Sequence, residues 1–290
     1  MMTIANSSLN ILIFDNPYYT WDTSAGWYNE AISLESQLSS LGFTSVTRTS
    51  SAPTRDTAIT PAQLAAELAG KDVFLLTARE NFNHLEAYDF GSVLESFVAQ
   101  GGTLIAFGGR YGSTDLQFIN DTFGTTLTSG SVTANISITA AATDTDFSDN
   151  SATLEQHDFS TYIRNDSLTD EDAVSLYDGD YLSIADYGSA VTVLNYGAGE
   201  IVWLGWSYDK IGHPTASQDP VNWNQALLDA VNLGGYDFFP NLPVDDYGET
   251  PETAGTTQIN GEVTGRIETS GDQDWFGVSL IEGHEYEIFV

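Results

Sequence analysis

Hydrophobic residues in this chain come either as short unbroken runs or at helical steps of three and four, and up to about residue 125 the two patterns alternate. Asn10 to Asp15 (NILIFD) is an apolar run stopped by Asn16-Pro17, the profile of a buried strand that ends in a loop. Trp27, Ala31, Leu34, Leu38 and Leu41 then share one helical face, and Gly42 follows as a natural stop. Thr44 to Thr49 reads as a second strand. Thr60-Pro61 reads as a helix N-cap with proline at the first position, and Gly70 as that helix's end. Lys71 to Thr77 and Thr103 to Phe107 give two more buried strands, separated by a helix over Ser92 to Gln100. Ser113 caps a further helix carrying Leu116, Phe118, Ile119 and Phe123, closed by Gly124.

Strands and helices alternating at this spacing predict right-handed crossovers and a parallel sheet covered on both faces. Beyond residue 125 the texture changes. Ser131 to Thr139, Ala173 to Tyr177, Tyr181 to Asp186, Ala190 to Tyr196 and Glu200 to Trp206 lie between Gly, Asp and Asn turns, as antiparallel strands do. Pro220 opens a last helix with Trp223, Ala226, Leu227, Ala230 and Val231 on one side and Gly234-Gly235 at its end. The fold expected is α/β, a flavodoxin-like three-layer sandwich with an antiparallel β-meander extension over residues 9–235. Residues 236–244 read as a proline-containing acidic linker, and residues 245–290 as part of an all-β, sandwich-type module. Four short strands are expected in that tail: Ile259 to Glu262, Gly265 to Glu268, Trp275 to Leu280 and Tyr286 to Val290. Some 45 residues ending in an apolar strand bury too little core alone, so the chain is expected to be a piece of a longer protein.

Charge narrows the function classes. Forty-one Asp and Glu face 8 Lys and Arg across 290 residues, a formal charge of -33, which repels phosphate backbones and anionic lipid surfaces. There is no cysteine, so thiolate catalysis, cysteine zinc sites and disulfides are all excluded. Met1 to Asn10 has no basic segment followed by an apolar core, and no run approaches a membrane span. That leaves a cytoplasmic protein, or one exported by a route that does not read an N-terminal signal.

Two resemblances sharpen this. The run Gly271-Asp272-Gln273-Asp274-Trp275-Phe276, followed by Val278, Leu280, Gly283 and Tyr286 and preceded by Asp245-Asp246-Tyr247-Gly248 and Gly265-Arg266-Ile267-Glu268, resembles the first half of a bacterial pre-peptidase C-terminal (PPC) domain. That family is a small calcium-associated β-sandwich appended to secreted proteins, so the resemblance implies a location outside the cell or at the cell surface of a bacterium, reached without an N-terminal signal peptide, as in type I secretion. The resemblance implies calcium at Asp272 and Asp274, with Asp246 approaching from the preceding segment; carboxylates in a Gly-preceded turn are the hard oxygen ligands calcium prefers.

The stretches Asp72 to Leu76, Phe97 to Ile105 and Gly199 to Trp206 resemble the class I glutamine amidotransferase-like fold. Its catalytic members carry a cysteine on the turn after the strand matching Thr103 to Phe107, where this chain has Gly108-Gly109-Arg110-Tyr111. Their His-Pro-Glu partner follows the strand matching the one that ends at Trp206. Here Ser207-Tyr208-Asp209 stands in that place, and His213-Pro214 comes several residues later. Neither half of the catalytic pair carries over.

Other signatures fail: there is no G-x-S-x-G, H-E-x-x-H, Walker loop or G-x-G-x-x-G. Asp144, Asp146, Ser148 and Glu155 have EF-hand spacing, but Asp149 occupies the obligatory glycine position, so they read as a solvated loop. In such a sheet ligands settle at the carboxyl ends of the strands. The loops expected there carry Tyr18, Tyr19 and Trp21, then Arg79, Glu80 and His84, then Arg110. Arginine and aromatic side chains together suit a sugar, a carboxylate or a peptide terminus. The reading is a non-catalytic binding or spacer module of a larger exported protein. Two alternatives stand beside it: a hydrolase acting on carbohydrate or peptide through carboxylates such as Asp15 and Glu80, or a passenger region of a secreted peptidase.

Overall fold

The computed structural model describes residues 7–16, 18–19, 30–50, 58–78, 89–109, 112–143, 145–156, 160–169, 172–182, 184–206, 208, 221–233, 255–257, 276–280 and 283. The chain forms two compact units, Met1–Phe238 and Phe239–Val290.

In the first unit the expected alternation appears as β1 (Asn10–Ile13), α1 (Glu30–Leu41), β2 (Ser45–Arg48), α2 (Pro61–Leu68), β3 (Val73–Leu76), α3 (Gly91–Ala99), β4 (Thr103–Phe107) and α4 (Gly112–Phe123). Local chemistry sets the boundaries. Thr60 and Gln63 close a reciprocal capping box at the start of α2, with Pro61 in the first turn. Gly70, past its end, takes φ +73, a conformation that costs a side-chain-bearing residue but not glycine.

The remaining strands are β5 (Ser129–Gly130), β6 (Ala134–Ile138), β7 (Thr153–Leu154), β8 (Tyr162–Arg164), β9 (Ala173–Tyr181), β10 (Ile184–Tyr196) and β11 (Gly199–Leu204), followed by α5 (Val221–Asn232). All eleven strands join one sheet in the order β2, β1, β3, β4, β11, β10, β9, β6, β7, with β8 on β10 and β5 on β8. β2, β1, β3, β4 and β11 run parallel, the flavodoxin order with β11 as fifth strand. β10, β9, β6 and β7 continue the sheet antiparallel, which is the expected meander.

Period-two alternation splits the core. Leu12, Phe14, Phe74, Leu76, Leu104, Ala106, Ile201 and Trp203 gather with Leu64, Leu68, Leu94, Val98, Leu116, Phe118 and Ile119 of α2, α3 and α4. The intervening Ile11, Ile13, Val73, Leu75, Ile105, Phe107, Val202 and Leu204 are equally buried and belong to the opposite face, where α1 meets α5.

Several elements differ from the sequence expectation: β5, β7 and β8 are additional short strands, and Ser113 lies inside α4 instead of capping it. Tyr181 to Asp186 is not a separate strand: Tyr181 ends β9, Ile184 begins β10, and the two residues pair across the reversal. The glycines that mimic turn signals, Gly179 and Gly188, sit inside the strands. A Cβ on Gly179 would lie 2.3 Å from Val132, and one on Gly188 would lie 3.1 Å from Val132 and 3.4 Å from Tyr162. Those glycines admit a crossing side chain instead of turning the chain.

In the second unit β12 (Gly255–Thr257) and β13 (Phe276–Val278) pair in parallel. β13 falls within the expected strand Trp275 to Leu280. The strands expected over 259–262, 265–268 and 286–290 lie outside the described residues.

Candidate functional site

β1 leads through α1 to its outer neighbour β2, and β2 crosses back through α2 to β3, so the strand order reverses between β1 and β3. The loops leaving the carboxyl ends of β1, β3, β4 and β11 border that reversal, where ligands of such folds are held.

Hydrogen bonds tie these ends together. The Phe14 amide donates to Leu75 O at 2.8 Å, Thr49 N to Ile13 O at 2.9 Å, and the Thr77 hydroxyl to Phe14 O at 2.8 Å. Asn16, wholly buried, accepts from Tyr18 N through its side chain and from Tyr19 N through its carbonyl, both at 3.0 Å. Arg48 bridges Asp15 at 2.6 Å and Glu35 at 2.9 Å.

The chemical centre of this end is Glu30, the first residue of α1, buried to 5% exposure. Its carboxylate accepts from Ala78 N after β3 at 2.7 Å and from Tyr208 N after β11 at 2.9 Å. One side chain on α1 therefore ties together the chain after β3 and the chain after β11. Sequence reading passed over it, although Glu30, Leu34 and Leu38 follow one another at four-residue steps and all three are buried, so the inward face was legible. Tyr208 is wholly buried, donates its hydroxyl to Trp223 O at 2.8 Å and meets Phe107 edge to face.

Burial, and then the negative Glu30, push the Tyr208 phenol well above its usual range. Tyr177 is raised in the same direction by burial and then by Asp229. The folded protein keeps both protons past the ordinary phenol pKa of about 10, while the unfolded chain releases them. The native state then binds more protons than the unfolded state, so stability that is complete below about pH 10 is lost as pH rises toward the folded-state values. The urea midpoint is expected to fall between pH 9 and pH 11, and Tyr208→Phe should flatten that slope. An unchanged slope in the variant would remove Tyr208 as its source.

The turn after β4 is filled from the meander. Thr161 N donates to Gly108 O at 2.6 Å, Gly108 N to Leu204 O at 2.7 Å, and the Thr161 hydroxyl to Gly109 O at 3.2 Å. The Trp203 indole N–H donates to Thr161 O at 3.1 Å. A Cβ on Gly108 would stand 2.1 Å from Thr161 O, and one on Gly112 would stand 2.7 Å from the Thr161 side chain. Nothing in the sequence signals this long-range plug.

Of the residues expected to bind ligand, Tyr18 is partly buried against the core cluster and meets Tyr19 edge to face at 4.9 Å. Tyr19 is corrected: at 2% exposure it packs on Phe14 and Phe90, so its faces belong to the core and are closed to a ligand. An aromatic loop beside an unfilled sheet face supplies core as readily as binding surface. Trp21, Arg79, Glu80, His84 and Arg110 lie outside the described residues, as do Asp246, Asp272 and Asp274. Asp146 to Asp149, from the EF-hand-like spacing, forms a 3₁₀ turn with Phe147 inward, and Glu155 accepts from Asn222 of α5 at 2.9 Å. Among the described residues no three His, Asp or Glu side chains gather as a metal site.

Topology and site together define a flavodoxin-like α/β protein. The mmIFT52 N-terminal domain shares the fold with a TM-score of 0.51 at 12% identity, over 79% of this chain and 99% of that one. A candidate ThuA-like protein from Bacteroides uniformis aligns over 80% of this chain and 94% of its own, with a TM-score of 0.48 at 11% identity. A candidate GMP synthase component from Thermoplasma acidophilum aligns over 78% and 94%, with a TM-score of 0.45 at 14% identity. At these identities the likeness is one of fold. No protein-family profile and no curated protein sequence matches the chain.

Proposed function

We propose that the first unit is a non-catalytic recognition or spacer domain on an amidotransferase-like scaffold, carried by a larger exported or extracellular bacterial protein. The observation that carries this reading is the filled turn after β4. Acyl-transfer chemistry on this scaffold needs a nucleophilic side chain on that turn with a base beside it. The turn has Gly108 and Gly109, and Thr161 O occupies the space a Cβ would need. The hydrolase alternative has less support. Asp15 is ion-paired with Arg48, and the Glu30 carboxylate is taken up by two backbone amides.

Recognition falls to the carboxyl-end loops. Arg79 follows Ala78, whose amide Glu30 fixes, and Arg110 follows Gly109, whose carbonyl Thr161 fixes. These two arginines anchor an anionic group of a carbohydrate or peptide, with Tyr18 or Trp21 beside it. Export is supported by the acidic, cysteine-free composition and by the PPC-like tail, in which Asp246, Asp272 and Asp274 hold calcium.

A glycan and peptide binding screen on the full chain, repeated with Arg79→Ala and Arg110→Ala, tests the reading, alongside assays for glutamine and ester hydrolysis. A ligand whose affinity falls about tenfold or more in either variant is the expected result. Turnover of either substrate would overturn the non-catalytic assignment, and binding indifferent to both substitutions would overturn the pocket. A calcium-dependent rise in Tm, lost in Asp272→Ala, is expected from the tail.

A further inference from the structure

A β-arm stands past the carboxyl edge of the parallel sheet. Val191 of β10 pairs with Leu204, the last residue of β11, so Ile184 to Ala190 and their β9 partners run on beyond that edge. At about 3.3 Å per residue the overhang is roughly 20 Å. At the tip Leu182 has φ +54 and is 75% exposed, and Ile184 is 53% exposed. Behind them Tyr181 stacks on Tyr187 with ring centroids 5.1 Å apart, and the Arg164 guanidinium lies 5.3 Å from the Tyr187 ring centre.

The tip is held in place. The Leu182 amide donates to the Thr133 hydroxyl at 2.9 Å, and Thr133 N donates to Asp180 O at 2.8 Å. Tight hairpin turns that need positive φ take Asn, Asp or Gly there, because a branched apolar side chain is strained. Here leucine takes that conformation and gains little burial in return. A strained, exposed aliphatic residue beside a second one, on a propped arm, breaks the local rules of folding in the way recognition surfaces do.

We infer that this tip is a docking knob for a partner protein offering an apolar pocket rimmed with lysine and arginine. Charge selects that occupant. Asp180 adjoins the tip through its bond from Thr133 N, the charge of Arg164 behind Tyr187 is neutralised by its ion pair with Asp166, and the whole chain carries a formal -33. A second copy or an anionic bilayer meets repulsion, whereas a basic-rimmed pocket is drawn in.

The test uses the full chain and two fluorescent peptides of equal positive charge, one amphipathic with lysine and leucine, the other with every leucine replaced by serine. The leucine peptide should bind the wild type at least tenfold more tightly than the serine peptide. Leu182→Asn combined with Ile184→Thr should erase that margin while Tm holds or rises, since asparagine suits the turn. An equal margin in wild type and variant would overturn the proposal. So would a loss confined to phosphatidylserine vesicle binding, to self-association or to neutral glycan binding, each of which would give the tip to a different occupant.

Discussion

Gly108→Ala is expected to cost about 3 kcal/mol, lowering Tm by roughly 6–12 °C. The added Cβ would sit 2.1 Å from Thr161 O, 3.0 Å from Gly205 Cα and 3.0 Å from the Trp203 indole nitrogen. Two of these are backbone atoms, and the Thr161 carbonyl is fixed by the Trp203 N–H while the Thr161 amide is bonded to Gly108 O itself. Nothing near the turn can step aside cheaply. Gly124→Ala is the control: its φ is +73 but no atom lies within 4 Å of where the new methyl would stand, so only backbone strain of about 1 kcal/mol applies. Thermal unfolding of both variants decides the matter, and a Gly108→Ala Tm within about 2 °C of wild type would show that the plug yields. Gly108→Cys meets the same obstruction, so its cost in Tm should be at least as large.

Glu30→Ala is expected to destabilise by about 3 kcal/mol, because the Ala78 and Tyr208 amides lose a charged acceptor. Part of the loss is offset, since the variant no longer buries a carboxylate. Glu30→Gln keeps one acceptor oxygen and should cost about half as much. Urea denaturation gives the size of the effect, and hydrogen exchange gives its place: the Ala78 and Tyr208 amides should lose protection before the strand interiors do. Unchanged protection at both amides would mean that the loops after β3 and β11 are held by other contacts.

The parallel half of the fold was legible because local and tertiary demands agree there. Buried strands are continuous apolar runs, and Thr60-Pro61 with Gln63 closes a capping box whatever lies around it. The site was legible only as a set of loops. Tyr19 and Tyr18 both read as aromatic loop residues, and only packing sends Tyr19 onto Phe14 and Phe90. In the antiparallel part Gly179 and Gly188 advertise turns, yet both make room for Val132, and β5, β7 and β8, two or three residues each, are too short for periodicity to show.

By itself, then, the sequence determined the alternation of the parallel strands with their helices, the capping box of α2 and the pair of glycines after β4, since each is written in contiguous residues. Tertiary structure alone decided what fills that turn, what pins the loops and where the hairpin reverses. Thr161 meets Gly108 across 53 positions and Glu30 meets Tyr208 across 178, distances along the chain over which periodicity and propensity carry no information.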